Sequence, residues 1–181
     1  MSGLKYFRII FVVAMVVLAA AGVTRADFKV EEGFTRLDNG QNLEGWTGKL
    51  DGWSVADGAI HLDSKTAKGD IYSEQTHSKN CVIRLQFRAT PRADSGIYFY
   101  GKQLQVRDYP TAGPQQYAKF AKPAGEWNDL ELDITDGTAV IKLNGETIEA
   151  AWKIGGNADR GIGLQRERGD FDFRYVRVKE K

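Results

Sequence analysis

Beyond residue 26 the chain alternates apolar and polar residues in short runs, and no stretch sustains the three-and-four spacing of an amphipathic helix. In the clearest run, Cys81, Ile83, Leu85 and Phe87 share one strand face, while Val82, Arg84, Gln86 and Arg88 share the other. Comparable runs predict strands at 34–37, 53–55, 59–62, 70–73, 81–89, 96–100, 103–107, 127–134, 138–143, 162–165 and 171–178. That many short strands can bury their apolar faces only in two packed sheets or a barrel, so the expected fold class is all-β. Asp57-Gly58, Asp136-Gly137 and Asn144-Gly145 separate such runs and readily adopt the positive φ angles of tight hairpins. Residues 109–125 hold three of the four prolines and little pattern, which predicts a surface excursion.

The N-terminus differs in kind. Lys5 and Arg8 precede an apolar run from Ile9 to Val23, followed by Thr24-Arg25-Ala26, the layout of a secretory signal peptide cleaved after Ala26. The run is shorter than the roughly 20 residues that cross a bilayer. The expectation is therefore an exported chain, periplasmic or extracellular, with no stable membrane span after cleavage and with residues 27–181 as one domain. Three bases and no acid lie in the first 26 residues, leaving 22 basic against 24 acidic side chains. A balance so near neutrality argues against nucleic acid as a partner. Cys81 is the sole cysteine, so no intramolecular disulfide can form, and its place on the apolar face predicts an inert core thiol.

Several familiar chemistries lack their motifs. No Gly-x-Ser-x-Gly elbow, P-loop, dinucleotide fingerprint or His-Glu-x-x-His pair occurs. His61 and His77 are expected to be solvated or locally bonded. Glu131-Leu132-Asp133-Ile134-Thr135-Asp136 approximates a retaining-glucanase signature, yet Asp136 falls in a hairpin turn beyond the strand. Glu131 and Asp133 would stand about 7 Å apart, wider than the roughly 5–5.5 Å of a retaining pair. Solvated strand positions are the expectation for Asp129, Glu131 and Asp133.

The polar faces carry the more promising chemistry. Gln103, Gln105 and Arg107 alternate with Leu104 and Val106, Tyr98 and Tyr100 alternate with Ile97 and Phe99, and Ile162 and Leu164 lead to Gln165. If these strands and the one ending at Arg88 are neighbours, one sheet face gathers amides, guanidinium groups and two tyrosines. Amides and Arg forks hydrogen-bond vicinal hydroxyls, and aromatic rings cover the C–H face of a pyranose, so the mixture suits a small carbohydrate. An ordinary solvated face is the competing account, because antiparallel sheets often expose one polar side. Trp46 and Trp127 are expected as core or hairpin anchors rather than sugar platforms.

The segment Gly33-Phe34-Thr35-Arg36-Leu37-Asp38-Asn39-Gly40-Gln41-Asn42-Leu43-Glu44-Gly45-Trp46, followed by Trp53-Ser54-Val55-Ala56-Asp57-Gly58, resembles the opening of the 3-keto-disaccharide hydrolase domain family. The resemblance continues through Asp94-Ser95-Gly96-Ile97-Tyr98-Phe99, Gln105-Val106-Arg107-Asp108, Gly125-Glu126-Trp127-Asn128, Leu143-Asn144-Gly145, Gly161-Ile162-Gly163-Leu164-Gln165 and Phe173-Arg174-Tyr175-Val176. It implies a concanavalin A-like jelly-roll β-sandwich of two antiparallel sheets. It also implies cleavage of 3-keto-glycosides by elimination to a 2-hydroxy-3-keto-glycal and hydration, a net hydrolysis, with a divalent metal as one candidate stabiliser.

Matching positions nominate Asp94 and Asp108 as acid/base groups and Gln105 and Gln165 as sugar contacts. The strand faces add Gln103, Arg107, Tyr100 and Arg88. Where the family commonly has Asn-Ser-Gly and Tyr-Glu-x-Gln-x-x-Asp, this chain has Asp94-Ser95-Gly96 and Lys102-Gln103-Leu104-Gln105-Val106-Arg107-Asp108. Gln103 thus replaces a carboxylate, and an amide neither transfers protons nor binds cations strongly. A non-catalytic carbohydrate-binding jelly roll is accordingly the alternative to an enzyme.

Overall fold

A computed structural model describes residues 28–113, 115–156 and 160–181. The expected signal peptide and its cleavage point lie outside the described residues.

The chain first forms β1 (Thr35–Arg36), β2 (Trp46–Gly48), β3 (Trp53–Ala56), β4 (Ala59–Leu62) and β5 (Ile71–Ser73). β6 (Cys81–Ala89), β7 (Asp94–Phe99) and β8 (Lys102–Arg107) follow, then two single-turn helices, α1 (Tyr109–Ala112) and α2 (Gln115–Ala118). β9 (Asn128–Thr135), β10 (Thr138–Leu143), β11 (Glu146–Lys153), β12 (Gly163–Leu164) and β13 (Phe171–Glu180) complete the order. The larger sheet runs β11-β10-β9-β6-β13-β4-β3, with β1 also on β13, and the smaller runs β2-β5-β12-β7-β8. The strand pairs are antiparallel, as expected for the all-β sandwich.

Alternation does the sorting. Along β6 every odd-numbered residue from Cys81 to Ala89 is buried, and the four between are half-buried. Ile83, Leu85 and Phe87 meet Leu130 and Leu132 of β9, and across the sandwich Ile97, Leu104, Val106 and Leu164, in one continuous core. Each such side chain contributes about 1.5–3 kcal/mol when fully buried. Cys81 lies inside this core, where burial pushes its thiol pKa up, so the thiol is inert as expected.

The three predicted hairpin dipeptides each adopt positive φ at both residues, between β3 and β4, β9 and β10, and β10 and β11. A fourth tight turn, at Tyr100-Gly101, joins β7 to β8. Tyr100 was expected as an outward strand residue. It instead takes left-handed φ and turns inward, its hydroxyl donating to the Ser78 carbonyl beside Cys81 Sγ. That inward hydrogen bond holds a conformation unusual for a bulky residue.

Two strands lacked a sequence signal. β2 is three residues ending in glycine, and β11 is an edge strand with two register irregularities and no clean alternation of burial. The 109–125 excursion contains α1 and α2 and is anchored by Tyr109 and Tyr117, whose rings meet edge-to-face at 5.7 Å. In β13 the register shifts between Arg174 and Arg177, with Tyr175 at φ 56°. The buried Asp38 carboxylate clamps this bulge, accepting from Val176 N at 2.7 Å, Tyr175 N at 3.2 Å and the Arg36 guanidinium.

Candidate functional site

The inner faces of both sheets form the core, so the two outer faces point away from each other. β5, β12, β7 and β8 adjoin in the smaller sheet, and their register writes three polar rows across its outer face. Tyr72, Gly163, Tyr98 and Gln103 form the first row. Gln165, Gly96 and Gln105 form the second, with Gln165 N donating to the Gly96 carbonyl. Arg168, Asp94 and Arg107 form the third.

The amides are joined. Gln103 Nε2 donates to Gln165 Oε1 at 2.6 Å and to Gln105 Oε1 at 3.3 Å. Gln105 Nε2 donates in turn to Asp94 Oδ1 and to the Ser95 carbonyl. Arg107 Nη2 lies 3.0 Å from Asp94 Oδ1, and its Nη1 donates to the Ala112 carbonyl at 2.9 Å. Among the described residues, Asp94 Oδ2 has only Arg168 within ion-pair distance, at 3.9 Å, which leaves this oxygen the better able to take a new partner. The side chain of Asp94 is 11% exposed, enough to reach the face while remaining largely out of water.

Glycines make room for this array. A Cβ on Gly96 would lie 2.2 Å from Gln103 Nε2, and one on Gly163 would lie 2.5 Å from the Tyr72 ring. Their missing side chains let the amides lie flat over β7 and the rings of Tyr72 and Tyr98 approach to 6.0 Å, tilted. Burial raises the pKa of the Tyr98 hydroxyl, with Asp70, Tyr72 and Glu167 adding to the effect and a Gln165 hydrogen bond opposing it. The phenol therefore stays protonated and able to donate. Outward glycines within strands, and Tyr72 alternating with Ile71, were the signals for these extra positions.

Asp94, Gln103, Gln105, Arg107 and Gln165 are thus brought together, but three expected site residues are not. Arg88 belongs to β6 in the larger sheet, on the opposite outer face, where it is bound to Asp172 and stacked over Trp127 at 4.7 Å. Sequence shows which side of a strand Arg88 occupies but not which sheet receives the strand. Tyr100 is turned inward as described. Asp108, one residue beyond Arg107, points to the opposite side of β8, where its carboxylate accepts from Arg92 N at 2.8 Å and from the Thr111 hydroxyl. There it ties the 91–92 turn to α1, the local turn role an Asx residue plays.

The remaining motifs also find places. His61 Nδ1 pairs with Asp172 at 2.8 Å. Trp46 is a core residue, whereas Trp127 is a half-buried surface platform beneath Arg88 and Arg174. Glu131 is engaged by Arg84 at 2.7 Å and Lys142 at 3.0 Å. Burial acts to raise its pKa, but these two cations hold it below the usual range. Among the described residues, no three or more His, Cys, Asp or Glu side chains gather to hold a metal ion. The donor set of the face, neutral amides and guanidiniums with Asp94 engaged by Arg107, does not fit one.

A family model for the 3-keto-α-glucoside-1,2-lyase-like domain matches residues 33–179. The chain belongs to this family. Membership places it among carbohydrate-active domains. A comparison with curated proteins finds no match. A candidate glycosyl hydrolase from Parabacteroides distasonis is similar in structure, with TM-score 0.67 at 21% identity over 82% of this chain and 94% of that one. The carbohydrate-binding module CBM66 from Bacillus subtilis aligns with TM-score 0.54 at 13% identity, covering 77% and 98% of the two chains. The exoplasmic/lumenal domain of VIP36, in a form bound to Ca2+ and Man3GlcNAc, aligns with TM-score 0.56 at 10% identity over 84% and 90%. At these identities the likenesses establish the fold, a concanavalin A-like jelly-roll sandwich. Among the described residues, no helix is long and apolar enough to cross a membrane.

Proposed function

We propose that this chain is an exported enzyme that cleaves 3-keto-glycosides by elimination and hydration on the outer face of the five-stranded sheet. The observation that carries the reading is the chain of three glutamine amides ending on Asp94 Oδ1, while Oδ2 has Arg168 at the longer distance of 3.9 Å. A C3 ketone acidifies the C2 hydrogen, so Asp94 takes that proton as base and the electron pair forms an enolate with its charge on O3. Collapse of the enolate restores the ketone, forms the C1–C2 double bond and expels the C1 substituent, whose oxygen takes the proton that Asp94 removed from C2. Water then adds at C1 and a proton returns to C2, so the sum is hydrolysis. Arg107, beside the base, supplies positive charge for the developing oxyanion. Gln103, Gln105 and Gln165 bind ring hydroxyls, and the rings of Tyr72 and Tyr98 cover a pyranose face.

Gln103, where the family commonly has a carboxylate, favours a second reading in which the face binds saccharides without turnover. Incubating the purified chain with 3-keto-disaccharides, with Asp94→Asn as control, separates the two. The enzyme reading expects product from the wild type and a loss of about 10²–10⁴-fold in Asp94→Asn. Saturable binding with no product from the wild type assigns the module instead.

A further inference from the structure

Among the described residues, three surface clefts of similar volume flank the sandwich, and their charges differ. One is lined by Arg84, Lys142 and Arg177 against Asp129 and Glu131, and another by His61 and Arg88 against Asp170 and Asp172. In both, acids offset bases. The third, of about 290 Å³, is lined by Pro91, Arg92, Thr111, Ala112, Arg168 and Gly169, with two guanidinium groups and no carboxylate.

This third cleft adjoins the amide face. Arg168 forms the backbone bridge to Asp94, and Arg107 donates to the carbonyl of Ala112 in the cleft wall. Arg168 Nε donates to the Arg92 carbonyl, which fixes one guanidinium close to the other residue. The Arg92 side chain has no hydrogen-bond or ion-pair partner among the described residues. Its backbone stands at φ 63°, a conformation costly for a residue with a side chain, and Asp108 holds it there by accepting from its N–H. Asp94 and Asp108 do not line the cleft but border it. Asp108 accepts from Arg92 N and the Thr111 hydroxyl, while Asp94 takes Gln105 and Arg107 on Oδ1 and has Arg168 at 3.9 Å from Oδ2. The Arg92 guanidinium is therefore the cleft's unengaged charge among the described residues. A guanidinium fork can pair two N–H donors with two oxygens of a carboxylate or of a sulfate.

We infer that this cleft is a subsite for an anionic group, a carboxylate or a sulfate, carried by the saccharide on the amide face. The inference rests on reading that face as a carbohydrate site and names the class of saccharide it takes. Glycosides bearing a uronate or a sulfate ester are preferred over neutral ones, although the chain as a whole is close to neutral.

The test is titration calorimetry of the full chain with a glucose disaccharide, its glucuronic acid counterpart and its 6-sulfated counterpart, at two salt concentrations. Wild type should bind at least one anionic ligand about tenfold more tightly than the neutral one, with a preference that shrinks as salt rises. Arg92→Gln combined with Arg168→Gln should bring anionic and neutral affinities within about twofold of each other, and Arg92→Gln alone, at a residue outside the rows of the face, should weaken anionic binding while neutral affinity is unchanged. Preference for only the glucuronide or only the sulfate ester identifies which anion the cleft takes. Equal affinity in the wild type, or a preference that survives the double substitution, overturns the subsite and leaves the face intact as a carbohydrate site. Binding of none of the three overturns both. Absence of turnover on 3-keto-glycosides removes the enzyme reading without touching the affinity comparison.

Discussion

Gly96→Ala separates the work of the face from the stability of the fold. Gly96 has ordinary extended backbone, so alanine is tolerated locally, but its Cβ would stand 2.2 Å from Gln103 Nε2 and 2.6 Å from its Cγ. Ordinary contact between such atoms is about 3.5–4 Å, so the Gln103 side chain must retreat by about 1 Å or more. The retreat breaks its bonds to Gln165 and Gln105. At a half-exposed site these contribute about 0.5–1.5 kcal/mol each. The loss is partly offset by the roughly 0.4–1 kcal/mol that alanine contributes by restricting the unfolded chain. The expected net destabilisation is between about 0 and about 2.6 kcal/mol in urea unfolding, a Tm decrease of several degrees at its upper end. Saccharide affinity, measured by calorimetry, should fall at least about tenfold, because the displaced amide occupies the ligand's space. Gly96→Ala combined with Gln103→Ala should be no less stable than Gln103→Ala alone, since the clash is gone. Full saccharide affinity in Gly96→Ala would refute the placement of the site on this face.

Asp38→Ala should destabilise the fold by about 2–4 kcal/mol in denaturant unfolding, because it leaves the Tyr175 and Val176 N–H groups at the β13 bulge without their acceptor. A loss below about 0.5 kcal/mol would show that the bulge does not depend on the clamp. Burial holds the pKa of His77 below its ordinary 6.5, with Glu180 opposing the shift. The unfolded chain then binds a proton before the native one does. Stability from this group is complete above pH 6.5 and declines as pH falls from there toward the depressed native pKa. Unfolding free energies between pH 7.5 and 5 should show a steeper decline for wild type than for His77→Gln, and identical slopes would contradict the assignment.

Much of the architecture was legible along the chain because strand alternation is local. Cys81 to Ala89 carries its buried and half-buried faces in its own letters, and the dipeptides at Asp57, Asp136 and Asn144 carry their turns. β11 was not legible because an edge strand with irregular register has no buried face to impose a pattern. Within the site, Gln103, Gln105, Arg107 and Gln165 were readable as outward residues, and the smaller sheet brings them together with Asp94. Arg88 has an equally outward pattern but belongs to the other sheet, and Asp108 falls on the reverse side of β8.

From the amino-acid order alone come the β class, the hairpins, the core faces and the chemical character of the outward residues, since these depend on period and on neighbours one to three positions away. Only the tertiary structure decided which outward residues share a surface, because strand pairing joins segments such as 94–107 and 163–168 that lie far apart in sequence. It also decided that Tyr100 turns inward, a choice made by the distant carbonyl of Ser78 rather than by local alternation.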